Sequence, residues 1–136
     1  MGTRSLTFVY DGDVPVINIY RQYDGYPSGH GHELAQFLDS KTLVNGFGEQ
    51  NDFDANGMGC LAAQLIVQLK HGVGEIYIYA PMVGRDHWQD YEYHVYETKV
   101  IVKSCATVYD SGHYQVIFEG TWQEFAQFCL DPISVE

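Results

Sequence analysis

The stretch Arg21-Gln22-Tyr23-Asp24-Gly25-Tyr26-Pro27-Ser28-Gly29-His30-Gly31-His32 separates two kinds of periodicity in this chain. Ahead of it, Leu6–Tyr10 and Val14–Tyr20 alternate with period two around the turn signal Asp11-Gly12-Asp13, the pattern of an antiparallel hairpin. Behind it, Glu33, Leu34, Phe37 and Leu38 recur at helical spacing through Asp39, and the Pro27-Ser28 pair suits a helix start. Pro15 has no backbone N–H, so the second strand is expected to begin at an edge or just outside the ladder. The connector itself holds two aromatic rings, a cation, a carboxylate, two imidazoles and a hydroxyl in a segment too irregular for core, and such loops more often carry function than structure.

Farther along, Ser40–Ala55 is rich in Gly, Asn and Asp and reads as an ordered loop anchored by Leu43, Val44, Phe47 and Phe53. Asn56-Gly57-Met58-Gly59 opens the strongest helix, whose stripe is Met58, Leu61, Ala62, Leu65, Ile66 and Leu69, with Gly72 as a natural stop. Glu75–Ala80 is a short strand ended by Pro81, and Met82–Gln89 is a loop carrying Arg85, Asp86, His87 and Trp88. Asp90–Tyr109 is strand-like with a break expected near Glu97–Lys99, and Asp110-Ser111-Gly112 turns the chain into a strand over His113–Glu119. Thr121-Trp122-Gln123-Glu124 is a capping box for a last helix that ends by Pro132. The order β-β-α-α-β-β-β-β-α predicts one α+β domain over residues 1–136: an antiparallel sheet of about five to six strands covered on one face by two to three helices.

With 46% hydrophobic and 15% aromatic residues, the chain can bury a core without metal or disulfide support. A formal charge of −11 disfavours non-specific binding to nucleic acid or anionic membranes, both of which require phosphate neutralisation. Scattered acids serve solubility, or, on a sharper reading, mimicry of nucleic acid. Cys60, Cys105 and Cys129 form no CxxC pair, which points to a reducing compartment. Met1-Gly2-Thr3-Arg4-Ser5 leads directly into a strand pattern without a signal-peptide core, and no apolar run reaches membrane-spanning length.

Several groups could carry chemistry. Gly57 and Gly59 leave N–H groups open at a helix start, where Asn56 and Met58 could flank a bound phosphate, although capping and close packing explain the same glycines. Cys60 in the first turn, with His94 or His113 as base, would make a cysteine hydrolase, while burial as a small hydrophobe is the alternative. His30 and His32 form an HxH pair with no third ligand specified by spacing, so no metal and no cofactor are expected. For a small nucleotide-like ligand, Arg4 and Arg21 suit phosphate, Tyr23 and Tyr26 suit stacking, and Asp24 suits ribose hydroxyls. Ser28 and His30 add hydrogen-bonding groups, and Arg85 adds a cation.

Thr3-Arg4-Ser5, Tyr20, Asp24-Gly25-Tyr26-Pro27, Gly31 and Leu34 resemble small proteins of phages and prophage-rich bacteria with a TRS…DGYP pattern. Asn56-Gly57-Met58-Gly59-Cys60-Leu61-Ala62-Ala63-Gln64 and Ile117-Phe118-Glu119-Gly120-Thr121 look like the longer members of that group, so the resemblance touches most of the chain. Shorter members often carry His where Gln22 stands. The resemblance implies a counter-defence protein. In one version it is a homo-oligomeric sponge that sequesters a nucleotide-derived immune signal, cyclic ADP-ribose-like or a cyclic nucleotide, without catalysis. In the other it inhibits a host defence protein by binding it directly.

Overall fold

A computed structural model describes residues 2–46, 51, 53–84, 87–105 and 114–130. The expected turn at Asp110–Gly112, the far end of the strand expected to Tyr109, and Phe47, Asp52, Arg85, Asp86 and His113 lie outside the described residues.

The hairpin forms as expected from β1 (Ser5–Asp11) and β2 (Val14–Arg21), with Gly12 in the left-handed region at φ 63°. Pro15 pairs with Tyr10 beside a register slip between Val9 and Tyr10, in the part of β2 that β5, paired only with Asn18–Arg21, does not reach, so the strand starts at an edge as expected. A single π-helical turn (Pro27–Gly31) then runs into α1 (His32–Asp39). The stretch read as a loop contains a two-stranded parallel pair, β3 (Thr42–Val44) and β4 (Asp54–Asn56). Asp-Ala-Asn is a poor strand former, so pairing with β3 and burial of Ala55 under α2 (Gly57–Leu69) decide its conformation. Then follow β5 (Ile76–Tyr79), β6 (Tyr91–Val95), β7 (Val100–Ser104), β8 (Gln115–Gly120) and α3 (Trp122–Leu130). The break near Glu97–Lys99 is the β6–β7 turn, and the capping box forms: the Glu124 N–H donates to Thr121 Oγ1 at 3.1 Å and the Thr121 N–H to Glu124 Oε1 at 2.8 Å.

The class is α+β, and the main sheet has six strands in the order β5-β2-β1-β6-β7-β8. It is mixed rather than wholly antiparallel: β1 and β6 run parallel, Ser5 beside Tyr91 through Val9 beside Val95. β5 and β1 are each antiparallel to β2 and so run the same way, and the chain crosses from β5 to the far side of β1, where β6 runs parallel to both. On one face Val9, Ile19, Tyr93, Val95, Val100 and Val102 pack with Leu34, Leu38, Leu61, Leu65 and Phe125 of the three helices. On the other, Leu6, Phe8 and Tyr10 make a smaller cluster with Tyr20 and Tyr96. Every residue from Ser5 to Tyr10 is therefore buried, although the alternation alone reads as one buried and one wet face. Among the described residues no helix is long and apolar enough to cross a membrane, which leaves β-barrels aside.

Candidate ligand-binding cleft

The connector is built from beneath. Arg21, the last residue of β2, points to the helix-bearing face with its side chain 8% exposed. Its Nη1 and Nη2 donate to Glu33 Oε2 and Oε1 at 3.0 and 3.3 Å, Nε donates to the Tyr23 carbonyl at 2.8 Å, and Nη2 stands 3.7 Å from Glu75 Oε1. The Nη1 group also donates to His30 Nδ1 at 3.3 Å, which leaves His30 Nε2–H to donate to Thr7 Oγ1 at 2.7 Å. Burial, reinforced by the Arg21 charge, pushes the His30 imidazole down to about 3, so the ring is neutral at physiological pH. Arg21 and His30, both expected to touch ligand, are instead committed to holding the connector in place.

Above this network the backbone is pinned on several sides. The Gly25 N–H donates to the Thr3 carbonyl at 2.8 Å, the His30 N–H to the Asp24 carbonyl at 2.7 Å, and Tyr93 Oη to the Gly25 carbonyl at 2.7 Å. Asp24 takes φ 59°, a left-handed conformation that Asp accepts better than most side chains. A Cβ on Gly25 would sit 2.8 Å from the Arg4 carbonyl carbon and from Ser5 Cβ, so the close approach to β1 requires glycine. Pro27 opens the π-helical turn where its missing N–H goes unused.

What this scaffold presents is a cleft of about 370 Å³ lined by Thr3, Tyr26, Ser28 and Tyr91. Two phenol rings from different elements and two hydroxyls thus meet at the start of β1. Tyr23 and Asp24 are exposed beside it, and Tyr26 Oη donates to Asp24 Oδ1 at 3.3 Å. Arg4 is at the same end but is not a lining residue. Its N–H donates to Asp90 Oδ2 at 3.0 Å, its carbonyl accepts from Asp90 and Tyr91, and its guanidinium lies by the Tyr20 phenol. Burial pushes that phenol up, with Arg4 acting in the opposite direction.

The Asn56–Cys60 helix start is not at this cleft. Gly57 and Met58 line a separate cavity of about 260 Å³ with Leu43, Val44, Asn45, Asp11 and Glu97, at the far end of β1. Asn56 accepts from the Gly46 N–H at 3.2 Å and makes no side-chain cap. The two carboxylates in that cavity oppose an anion, which outweighs the modest pull of one helix start.

Cys60 and His94 are on opposite sides of the sheet. Cys60 is half-buried on α2, while His94 stacks on Phe8 at 5.0 Å between centroids in the cluster that, among the described residues, no helix covers. There the His94 Nε2–H donates to Glu92 Oε1 at 2.9 Å and its Nδ1 accepts from Tyr10 Oη at 2.6 Å. Gln89 Nε2 donates to the other Glu92 oxygen at 2.9 Å. Burial alone would raise the Glu92 carboxyl, but the bonds from His94 and Gln89, with the Lys103 charge, carry it below its ordinary value. Burial, with Tyr96 alongside, pushes the Tyr10 phenol far up. An orienting carboxylate for His94 was legible as Glu-x-His on a strand, where residues two apart share a face. Thr3 and Tyr91 carry no local signal, since only the parallel β1–β6 pairing brings them to the connector.

Among the described residues no group of three or more His, Cys, Asp or Glu side chains is placed to hold a metal. Comparison with family models, with curated proteins and with solved structures finds no match for the chain.

Proposed function

We propose that this chain is a non-catalytic binding protein that sequesters a small nucleotide-derived signal, works as a homo-oligomer in the cytoplasm of a bacterial host, and serves the counter-defence role that its TRS…DGYP resemblance implies. The observation that carries the reading is the contrast within the connector. Arg21 and His30 are spent on rigidity, while Tyr26 and Ser28 are turned to a cleft with Thr3 and Tyr91. A pre-shaped cleft loses little conformational entropy when a ligand enters, which favours tight capture. Its volume of about 370 Å³ falls in the range of small-molecule sites. Aromatic rings stack on a nucleobase, and hydroxyls donate to and accept from ribose and phosphate oxygens. Sequestration needs no nucleophile, and the Cys60–His94 pair is divided by the sheet.

The experiment is titration calorimetry with a cyclic ADP-ribose-type molecule, a cyclic dinucleotide and a plain nucleoside monophosphate, together with native mass spectrometry of protein purified from cells that make the signal. Binding of at least one, release of the intact ligand on denaturation, and a tenfold or greater weakening in Tyr26→Ala support the reading. No heat with any of them, and no co-purified small molecule, would refute it.

A further inference from the structure

Strand β5 forms one edge of the sheet. The Gln22 N–H donates to the Glu75 carbonyl at 2.9 Å, and the same register sets Tyr20 beside Tyr77 and Asn18 beside Tyr79. Bonded and non-bonded pairs alternate along an antiparallel ladder, so Tyr77 and Tyr79 direct their backbone groups to β2, and Ile76 and Ile78 direct theirs outward. On either side of Ile78, the Ile76 donor and acceptor and the Ala80 acceptor are already engaged. The Ile76 N–H donates to the Gly74 carbonyl at 2.7 Å, Lys70 Nζ donates to the Ile76 carbonyl at 2.8 Å, and the Ala80 carbonyl accepts from the Met82 N–H at 2.7 Å. Among the described residues, Ile78 is left as the β5 residue whose donor and acceptor are both open, with its side chain 57% exposed between Tyr77 at 39% and Tyr79 at 37%.

We propose that β5 is the surface by which two copies of this chain pair, antiparallel about a two-fold axis at Ile78. An isologous contact puts a residue on the axis opposite itself. At that point Ile78 exchanges both backbone bonds with Ile78 of the second copy, so one open donor and one open acceptor satisfy each other. At the next bonded position the Ile76 donor and acceptor and the Ala80 acceptor are taken within each copy, so neither bond of that rung can form and the pairing stops there. A longer foreign strand gains no further rungs from this edge. The second copy also brings matching aromatics: Tyr77 falls opposite Tyr79, twice, on the face away from the helices, extending the Tyr20–Tyr77 and Tyr20–Tyr79 contacts at 6.0 and 5.5 Å. Ile76 through Gly84 contains no charged residue in a chain of net charge −11, so the paired strands themselves bring no like charges face to face. This contact supplies the oligomer named above and is independent of what the cleft binds.

Sedimentation velocity over a wide concentration range tests it. The wild-type chain is expected to move from the mass of one chain to that of two. Ile78→Pro removes the outward N–H while Tyr77 and Tyr79 keep their bonds to β2, so it is expected to stay at one chain with its thermal unfolding midpoint retained. Ile78→Cys in a Cys60→Ser background is expected to form an inter-chain disulfide on mild oxidation, because Cα atoms of a bonded antiparallel pair lie about 5.5 Å apart, within disulfide reach. A wild-type chain that keeps one-chain mass throughout overturns the proposal. So does a dimer that survives Ile78→Pro unchanged, or one whose Ile78→Cys variant forms no cross-link. Since the readout is mass, a failure here leaves the calorimetric result on the cleft untouched.

Discussion

Lowering the pH from 7 to 5 should weaken the fold through one ring, His30. It is fully buried, receives a bond from a guanidinium and sits about 3 on the pH scale in the native state, against an ordinary value of 6.5 once the chain unfolds. The unfolded chain therefore binds a proton below pH 6.5 that the native chain refuses until about pH 3, so stability falls as pH falls through that window. One unit of separation is worth about 1.4 kcal/mol, so at pH 5, roughly 1.5 units below the unfolded value, the loss is about 2 kcal/mol. That is a large part of the margin of a domain of ordinary stability. The assay is urea unfolding at pH 7, 6 and 5 for the wild type and for His30→Gln, which retains hydrogen-bonding groups and cannot titrate. The variant is expected to be weaker at pH 7 and flatter with pH, and the difference between the two curves isolates the imidazole. Parallel curves, with the wild type losing no more than the variant, would show that His30 takes a proton in place and that the Arg21–His30–Thr7 chain is looser than its distances indicate.

Two further outcomes follow from particular atoms. Gly25→Ala sets a methyl 2.8 Å from the Arg4 carbonyl carbon and 2.9 Å from the Ser5 nitrogen, both backbone. It should cost about 1–3 kcal/mol in chemical denaturation and reduce ligand affinity at the cleft, and an unchanged unfolding midpoint would mean that the connector does not rest on β1 as described. Tyr10→Phe strips the hydroxyl from His94 Nδ1 in a buried site and should cost about 1–3 kcal/mol, while a change below half a kcal/mol, as with roughly neutral surface substitutions, would show that water replaces the phenol.

Much of the fold was legible because its signals are local. Alternation with Asp11-Gly12-Asp13 makes the first hairpin, one apolar stripe makes α2, and Thr121 with Glu124 makes the last cap, each within a few residues. The α+β class follows from the order of such elements. Short β3 and β4 were illegible for the complementary reason, since weak strand formers adopt that conformation only when a distant partner is in place. In the site, the connector's own shape was readable from Gly25 and Pro27, and the fate of its side chains was not.

By itself the sequence determined where the period changes, which residues turn the chain, and that Arg21 through His32 is a shaped connector rather than core. Only the tertiary structure decided what those residues do. Arg21 looks like a free phosphate-binding cation until Glu33, Glu75, His30 and the Tyr23 carbonyl gather around it, and three of those four are brought there by α1, the π-helical turn and the β5 edge. Thr3 and Tyr91 become neighbours of Tyr26 and Ser28 only because β6 runs parallel to β1. The physical reason is one of range. Backbone preference and hydrophobic period are set over one or two turns of chain, whereas charge pairing, burial and the lining of a cleft depend on residues that meet only after the layers close.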